Sequence, residues 1–447
     1  MMTILALLQC IQPEASNTDI NRLCRIIEAM LRMNGRVTML GLSRWAGKGG
    51  SYRTIQRFFN STYPWEQFFH LFFQKHLYQA DKEYFLIGDE SVVTKAGKHT
   101  YGIDRFFAGL LGRVTKSIAV FTLAIVDVEA GKSFPLRVQQ VVRSQAEKDE
   151  AKAKGKAKKA NGKKKVGRPQ GSKNRDKTSV KLTWELQRIQ EMVQNQLDCL
   201  PAKINIEHLA LDGHFGNNNA LQMARQCGLH LISKLRHDAA LYFAYDGPQK
   251  ERGPRKKYGD KIDYHNIPAH YLVQCHRDGD IETRIYQAQM LHREFAQPLN
   301  VVFISKRNVK TGQVAQVNLF SSDLTLSFEK IIAYYSLRFQ IEFNFRDAKQ
   351  FWGLEDFMNI KQQPLTNALN LSLFMVNVSH LLLQQFRQTN PDSGILDLKA
   401  YFQAEKYVQE TIKLLPENPE PILLEQVIAQ VASLGCIHSV KVLNSSP

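Results

Sequence analysis

Residues Ser327–Phe357 read SFEKIIAYYSLRFQIEFNFRDAKQFWGLEDF, and the interpretation of the whole chain starts from this stretch. Ser327 is a favourable helix N-cap and no Pro or Gly appears before Gly353, so the sequence predicts one long helix. At about 100° per residue, a phenol, two guanidiniums, a carboxylate and an ammonium fall on one stripe of that helix. They belong to Tyr335, Arg338, Arg346, Glu342 and Lys349. Such a stripe is either a solvated face with Arg–Glu pairs, or a site whose acid holds a metal ion and whose cations hold phosphates.

The spacing Y-x2-R-x3-E-x6-K, from Tyr335 to Lys349, resembles the Y-R-E-K signature of the DDE transposases of the insertion-sequence-four family. The resemblance implies that Glu342 is the last acid of a catalytic D-D-E triad. It also implies that Tyr335, Arg338 and Lys349 contact the DNA backbone near the cleaved end, and Arg346 shares their stripe. The implied fold is α/β: an RNase H-like mixed sheet with an all-β insertion, plus an N-terminal helical domain. Two further acids are then expected upstream, each at the end of an apolar strand.

Two upstream segments meet that expectation. Tyr84–Asp89 (YFLIGD) and Glu207–Asp212 (EHLALD) are short apolar runs that end in an acid, which is typical of buried strands. Asp89 and Asp212 are therefore the candidates for the first two acids. Because more than a hundred residues separate each acid from the next, only folding can bring the three together.

Three other acids compete with Asp89 for the first position. Asp127 ends the apolar run SIAVFTLAIVD and is the serious rival. Glu90 falls on the opposite face of the strand from Asp89, and Asp104 lies in a polar loop. An acid at the end of a strand is more often a turn residue, so the assignment depends on the joint pattern with the Y-R-E-K stretch.

Three carboxylates suit phosphodiester transfer because that reaction needs an activated oxygen nucleophile and a stabilised leaving oxygen. Two Mg²⁺ ions about 3.5–4 Å apart serve both ends of the reaction, and Mg²⁺ prefers oxygen ligands. The resemblance implies two ions per active site, with Asp89 bridging them and Asp212 and Glu342 each contacting one. Mn²⁺ is expected to substitute.

Residues 1–78 are predicted to form a helical DNA-binding domain. Val37–Phe59 reads as a helix, a Gly-containing turn and a second helix that exposes Arg53 and Arg57. This is the layout of a helix-turn-helix whose second helix enters a DNA groove. An ordinary helical hairpin with surface arginines fits the same pattern.

Residues 146–178 form a basic insertion. Ala151–Lys177 contains twelve basic residues and one acid, so the segment is predicted to be disordered in isolation. Val166–Asn174 resembles an AT-hook, which would lay Arg168 into a narrow A·T minor groove, although one flanking half is missing. The favoured alternative is a solvated linker that binds phosphates without sequence preference.

The remaining segments complete the predicted domain order. They are a first part of the catalytic domain at 79–145, a second part at 179–235, a β-rich insertion at 236–326, the Y-R-E-K helix at 327–360 and a C-terminal helical region at 361–447. Leu365–Leu383 is the most apolar segment but carries four polar side chains. It is therefore predicted to be a buried core helix and not a membrane span.

Composition limits the function classes. A net charge of +17 and a pI of about 9.5 indicate a polyanionic partner, with nucleic acid first and an anionic membrane second. The six cysteines form no C-x-x-C pair, and neither a P-loop, an H-E-x-x-H nor a G-x-S-x-G sequence is present. With no basic region before the short N-terminal apolar run, a cytoplasmic, nucleoid-associated protein is expected.

The sequence as a whole predicts a transposase that performs cut-and-paste transposition through Asp89, Asp212 and Glu342. Its expected partners are the double-stranded DNA of the transposon ends and of the target, with a homodimer in the DNA complex and no membrane. Two alternatives stay open, a catalytically inactive DNA-binding protein derived from a transposase and a host nuclease of the same fold. Trp352 either stacks on an unpaired base or packs in the core.

Overall fold

A computed structural model of the chain describes residues 2–95, 97–160, 176–201, 204–415 and 420–434. The helices are α1 Ile4–Leu8, α2 Asn17–Arg32, α3 Met39–Trp45, α4 Tyr52–Asn60, α5 Trp65–Phe72, α6 Gln145–Ala160, α7 Trp184–Cys199, α8 Asn218–Gln226, α9 Phe328–Leu337, α10 Gln340–Gln350, α11 Gln362–Phe386, α12 Ile395–Ile412 and α13 Pro421–Ser433. The strands are β1 Tyr84–Thr94, β2 Asp104–Ala108, β3 Arg113–Asp127, β4 Lys132–Val141, β5 His208–Ala210, β6 His230–Leu235, β7 Leu241–Ala244, β8 Tyr258–Lys261, β9 Leu272–Asp278, β10 Ile281–His292, β11 Leu299–Asn308 and β12 Val314–Ser321.

One mixed sheet holds all of these strands. Its order is β2-β3-β1-β5-β6-β12-β11-β10-β7-β8, with β4 paired to β3 and β9 paired to β10. The pairs β1–β5 and β5–β6 are parallel, and the others are antiparallel. The α/β class is thereby confirmed, and the β-rich segment after β6 extends the same sheet because β12 returns to pair with β6. That this sheet is RNase H-like stays a prediction.

The first strand is longer than its sequence suggests. β1 continues past Asp89 to Thr94, paired throughout with β3, so the prediction that Asp89 ends its strand is wrong. Ser91 and Val93 are buried beyond it and keep the alternation of a half-buried strand going. The acid consequently sits inside the sheet and not in a loop.

The helices at the two ends of the chain pack together. α11 is buried along its length, and 89% of its most apolar window lies inside the protein, as predicted for a core helix. Asn367 of α11 accepts a hydrogen bond from Trp65 Nε1 at 2.8 Å and donates to the carbonyls of Phe59 and Ser61. Buried hydrogen bonds to Asn367 therefore join the region between α4 and α5 to the C-terminal helix α11. Whether residues 1–78 form a separate domain stays a prediction.

The basic insertion begins with a helix that the sequence reasoning missed. The insertion at 146–178 was predicted to be structureless, which is wrong for residues 146–160, because these belong to α6. Its alternating Ala, Lys and Glu are good helix formers. Arg188 donates to both carboxylate oxygens of Glu147 at 2.8 and 3.2 Å, and Trp184 Nε1 donates to Glu150, so α6 is anchored to α7. Residues 161–175, which include Arg168 and the AT-hook-like sequence, lie outside the described residues.

The predicted long helix is two helices. Between α9 and α10 the chain tightens at Arg338 and Phe339, where Phe339 N bonds to Ser336 O and Glu342 N bonds to Phe339 O. These bonds span three residues and not the four of an α-helix. No Gly or Pro marks this joint, which is why the sequence pattern did not reveal it. Arg338 and Glu342 lie on either side of this joint and still form an i,i+4 ion pair at 3.2 Å.

Candidate active site

The first candidate acid, Asp89, lies on β1, and the second, Asp212, lies two residues past the end of the adjacent parallel strand β5. Ile87 of β1 pairs with Ala210 of β5, and Asp89 and Asp212 each come two residues later. Since side chains two residues apart share a face, this register directs both acids to the same region. Asp212 begins a tight turn, in which its side chain accepts a hydrogen bond from His214 N at 3.1 Å. The turn lies against β6, where a Cβ on Gly216 would come within 2.1 Å of the Lys234 carbonyl oxygen.

A guanidinium links the first acid to the third. Arg338 Nη1 lies 3.4 Å from Asp89 Oδ2, and its Nη2 lies 3.2 Å from Glu342 Oε1. The Arg338 side chain is 11% exposed and that of Glu342 is 42% exposed, so the cluster opens to solvent at Glu342. Tyr335 lies beside it, with its ring 5.7 Å from the guanidinium. Four residues, from α9, the joint after it, α10 and β1, thus meet at one point.

The pKa of Asp89 is raised, and the groups that shift it include the other members of the acid cluster. Burial raises the pKa of Asp89 to about 6. The backbone N–H of Glu90 and the Arg338 guanidinium act in the opposite direction, while the charges of Asp212 and Glu342 raise the pKa further. Burial likewise raises the pKa of Tyr335, with Arg338 opposing and Asp212 adding to the shift. All three candidate acids are therefore electrostatic neighbours, although they come from three distant segments.

The rival acids lie elsewhere. Asp127 pairs with Tyr84 at the far end of β1, five residues from Asp89, and its carboxylate accepts a hydrogen bond from Ala130 N in the β3–β4 turn. At about 3.3 Å per residue, that places Asp127 roughly 17 Å from Asp89 along the sheet. Asp104 faces Lys148 and Arg143. Glu90, on the other face of β1, has its pKa raised to about 7, first by burial and then by the charge of Glu185.

The other members of the predicted stripe are turned away from the acids. Lys349 Nζ donates to the Val92 carbonyl at 3.2 Å and pairs with Glu355 at 3.2 Å. Arg346 is half-exposed, pairs with Asp347 at 2.9 Å and stacks on the Phe343 ring. The structure thus brings Tyr335, Arg338 and Glu342 together but not Lys349 or Arg346. Their DNA contacts stay predictions.

Trp352 is a core residue. Its side chain is fully buried, so of the two roles considered for it the structure supports packing. Its Nε1 makes no hydrogen bond within the described part of the chain. A stacking contact with an unpaired base is not open to a side chain without exposed surface.

The helix-turn-helix candidate has the predicted elements. Ser51 caps α4 by accepting a hydrogen bond from Thr54 N, and Ile55 and Phe58 are buried beneath the helix. Arg53 and Arg57 lie on the exposed face, and neither is in an ion pair with any described residue. The geometry leaves both guanidiniums accessible, and their role in DNA binding stays a prediction.

The acid cluster suits a divalent cation by its donor set. Its donors are carboxylate oxygens only, which hard ions such as Mg²⁺ prefer. The negative charges of Asp212 and Glu342 raise the pKa of Asp89, and in this conformation the Arg338 guanidinium supplies the compensating positive charge. Within the described residues, no three His, Cys, Asp or Glu side chains are grouped closely enough to hold a metal ion. The carboxylates therefore fit the ion by donor chemistry, whereas their spacing here is set by the guanidinium that lies between Asp89 and Glu342.

One neighbour of Asp89 escaped the sequence reasoning. Thr122 pairs with Asp89 across β1 and β3, and its fully buried hydroxyl has no hydrogen-bond partner within the described residues. Directly paired residues of antiparallel strands share a face, so this hydroxyl lies on the same side of the sheet as the acid. The pairing register, which only the structure supplies, was the missing signal.

Two comparisons with known proteins bear on the family of the chain. The family profile described as DDE superfamily endonuclease matches residues 6–293, a range that includes Asp89 and Asp212 and ends before Glu342. A transposase for insertion sequence element IS231E from Bacillus thuringiensis subsp. finitimus is 21% identical over 234 residues. That alignment covers 47% of this chain and 49% of the relative, so the chain spans about half the length of the curated relative it matches.

Proposed function

The chain belongs to the DDE superfamily endonuclease family, and from that premise we propose that it is a transposase that cuts and joins DNA at the ends of an insertion sequence. The observation that carries the proposal is the meeting of Asp89 and Glu342 on the Arg338 guanidinium, with Asp212 as an electrostatic neighbour. The similarity to an insertion-sequence transposase supports the same reaction.

The proposed reaction is cut-and-paste transposition. Water attacks the phosphodiester at each transposon end, which leaves a free 3′-OH on the element. That hydroxyl then attacks a phosphodiester of the target DNA and displaces a 3′ oxygen as leaving group. The joining step needs no energy input, because it exchanges one phosphodiester for another. The partners are the double-stranded DNA of the ends and of the target, and a homodimer holds both ends.

The chain's own residues supply ligands and position the DNA. Enzymes of this superfamily generally depend on divalent metal ions. Asp89, Asp212 and Glu342 would hold two Mg²⁺ ions, or Mn²⁺, which would polarise the attacked phosphodiester and the attacking oxygen. Arg338, which keeps a buried Nε without a partner in the described chain, holds a phosphate beside the reacting one. Tyr335, whose ring lies 5.7 Å from that guanidinium, would contact the same phosphate.

A cleavage assay tests the proposal. The protein is incubated with a duplex that carries the inverted repeats flanking its gene, with Mg²⁺, with Ca²⁺ or with a chelator. A transposase nicks the duplex at the repeat boundary only with Mg²⁺ and joins the new 3′ end to a second DNA. Cleavage at random positions would indicate a host nuclease, and binding without cleavage an inactive DNA-binding protein. Either result would overturn the proposed function.

A further inference from the structure

A second concentration of positive charge lies on the hairpin of β7 and β8, at the opposite end of the sheet from β2. The connecting loop spans residues 245–257 and carries two acids, Asp246 and Glu251. Its stretch 249–257 reads QKERGPRKK, with five cations and one acid, and all nine of these residues are exposed. Within the described chain none of the five cations forms an ion pair with an acid. In this respect the loop differs from the acid cluster, where the Arg338 guanidinium has two carboxylate partners.

The loop is held in a defined shape. The Gln249 side chain accepts a hydrogen bond from Lys256 N and donates one to Lys256 O, both at 2.8 Å. Tyr245 donates its hydroxyl to the Pro248 carbonyl, and the Lys256 ammonium lies 4.2 Å from the Tyr245 ring. Gly253 adopts a positive φ of 100°, a conformation that favours glycine. Ordered cations lose less freedom on binding than cations on a floppy tail.

The end of the basic insertion contacts the base of the β7–β8 hairpin. Arg293 lies 4.8 Å above the Tyr242 ring and also faces Tyr258, which joins the two hairpin strands to the end of β10. Lys177, the last cation of the insertion, donates to the Arg293 carbonyl. Two basic segments that are far apart in sequence are thus brought to one corner of the molecule.

We infer that the β7–β8 loop is a second binding surface for duplex DNA, which grips the phosphate backbone of the DNA whose reacting phosphodiester lies at the acid cluster. This inference rests on the proposed function. DNA is favoured because an ordered row of unpaired Arg and Lys without an apolar face is suited to phosphates and not to a membrane interior. Seven strand spacings separate β1 from β8, or roughly 34 Å in a flat sheet, which is about one turn of B-DNA.

The test compares two triple variants with equal charge loss. Arg252→Gln, Arg255→Gln and Lys257→Gln neutralise the loop, whereas Arg277→Gln, Lys306→Gln and Arg307→Gln neutralise three exposed cations at the far end of the β9–β11 strands. Binding without metal is measured as a function of salt on end duplexes of about 8 and about 30 base pairs. Anionic lipid vesicles serve as a third probe.

On the long duplex, we expect the loop variant to bind about ten- to a hundredfold more weakly near physiological salt. The slope of log K against log salt should become shallower by about 2 to 3, because each phosphate contact contributes about 0.9. The short duplex, which cannot reach the loop, should bind both variants as it binds wild type. The charge-conserving variant Arg252→Lys, Arg255→Lys and Lys257→Arg should retain the wild-type slope, which excludes a folding defect.

Several results would overturn the inference. They are equal losses in the two triple variants, an equal loss on the short duplex, an unchanged slope on the long duplex, or a loss of vesicle binding with DNA binding intact. Failure of the proposed function would be seen separately, since wild-type protein would then not cleave the same end duplex with Mg²⁺.

Discussion

The acid cluster and the β7–β8 loop handle charge in opposite ways. At the cluster, Arg338 is 11% exposed and touches both Asp89 and Glu342. In the loop, five cations are exposed and none has an acid partner within the described chain. A buried charge is stabilised by the opposite charges beside it. Removing one partner leaves the other buried and unpaired, so a single substitution there has a large effect. Unpaired charges on the surface each add a small amount to the affinity for DNA, and salt screens that contribution.

The largest expected effect is on the cleavage rate, and it comes from replacing one carboxylate of the acid cluster by an amide. Asp89→Asn removes a negative charge at the cluster, and we expect single-turnover cleavage to fall on the order of a thousandfold or more. Asp127→Asn is the matched control. Asp127 also lies on a strand, but its carboxylate accepts a hydrogen bond in the β3–β4 turn and lies away from the acid cluster. The variant should cleave nearly as wild type and lose about 1 kcal/mol in the free energy of unfolding. A reversed ranking would make Asp127 the first acid.

A conservative change of the central cation should have a smaller effect. Arg338→Lys keeps the charge but loses the planar fork that reaches Asp89 and Glu342 together. We expect the maximal cleavage rate to fall about ten- to a hundredfold through lost alignment, with little change in the Mg²⁺ concentration needed. The measurement is a Mg²⁺ titration of both proteins. A large rise in that concentration at an unchanged maximal rate would show that Arg338 mainly supports Glu342 and does not clamp a phosphate.

The exposed arginines of α4 provide a comparison within the helical region. Arg53→Gln with Arg57→Gln should weaken binding to the end duplex by about tenfold, because both guanidiniums lack acid partners in the described chain. Arg22→Gln is the control, since Arg22 is already paired with Asp19 at 3.2 Å. Filter binding at fixed salt distinguishes the variants. Equal affinities for all three proteins would leave α4 as an ordinary surface helix.

The smallest expected effect concerns a buried cation with no acid partner among its described contacts. Burial lowers the pKa of Lys399 to about 8, and its ammonium donates to the Met30 carbonyl at 2.6 Å. The unfolded chain keeps this proton up to about pH 10.5, so it binds more protons than the folded protein between pH 8 and 10. The free energy of unfolding should therefore rise with pH in this window.

Lys399→Met should reduce that rise, as followed by denaturant unfolding at a series of pH values. The difference between wild type and variant isolates Lys399 from Lys95, whose pKa is also lowered to about 8 by burial. Parallel curves for the two proteins would show that Lys399 keeps its proton in the folded state.

Much of the candidate site was predictable because its residues carry sequence signals. Asp89 and Asp212 follow apolar runs, and Glu342 stands in a spaced pattern of cations, so all three could be named before folding. The joint at Arg338 and Phe339 could not, since it depends on three-residue hydrogen bonds and on no Gly or Pro. The pairing of Lys349 with Val92 O and Glu355 is likewise set by tertiary contacts.

The fold shows the same division. Continuous apolar runs predicted β1, β3 and the buried helix α11, whereas the short strand β2 and the helix α6 were missed. β2 is five residues long and pairs with no described strand other than β3, so its sequence carries little periodic signal. α6 is stabilised by contacts with α7 that composition does not reveal. The charge run of the β7–β8 loop is written in the sequence but was not singled out within the predicted β-rich insertion, and its ordering by Gln249 is a tertiary feature that composition does not reveal.

The central claim is that Asp89, Asp212 and Glu342 act as one catalytic set. Its most direct test measures single-turnover cleavage and binding of the same end duplex by wild type, Asp212→Asn and Glu342→Gln. Each variant should lose cleavage on the order of a thousandfold while its affinity stays within about threefold, because the phosphate-binding cations remain. Cleavage within about tenfold of wild type in either variant would contradict the assignment.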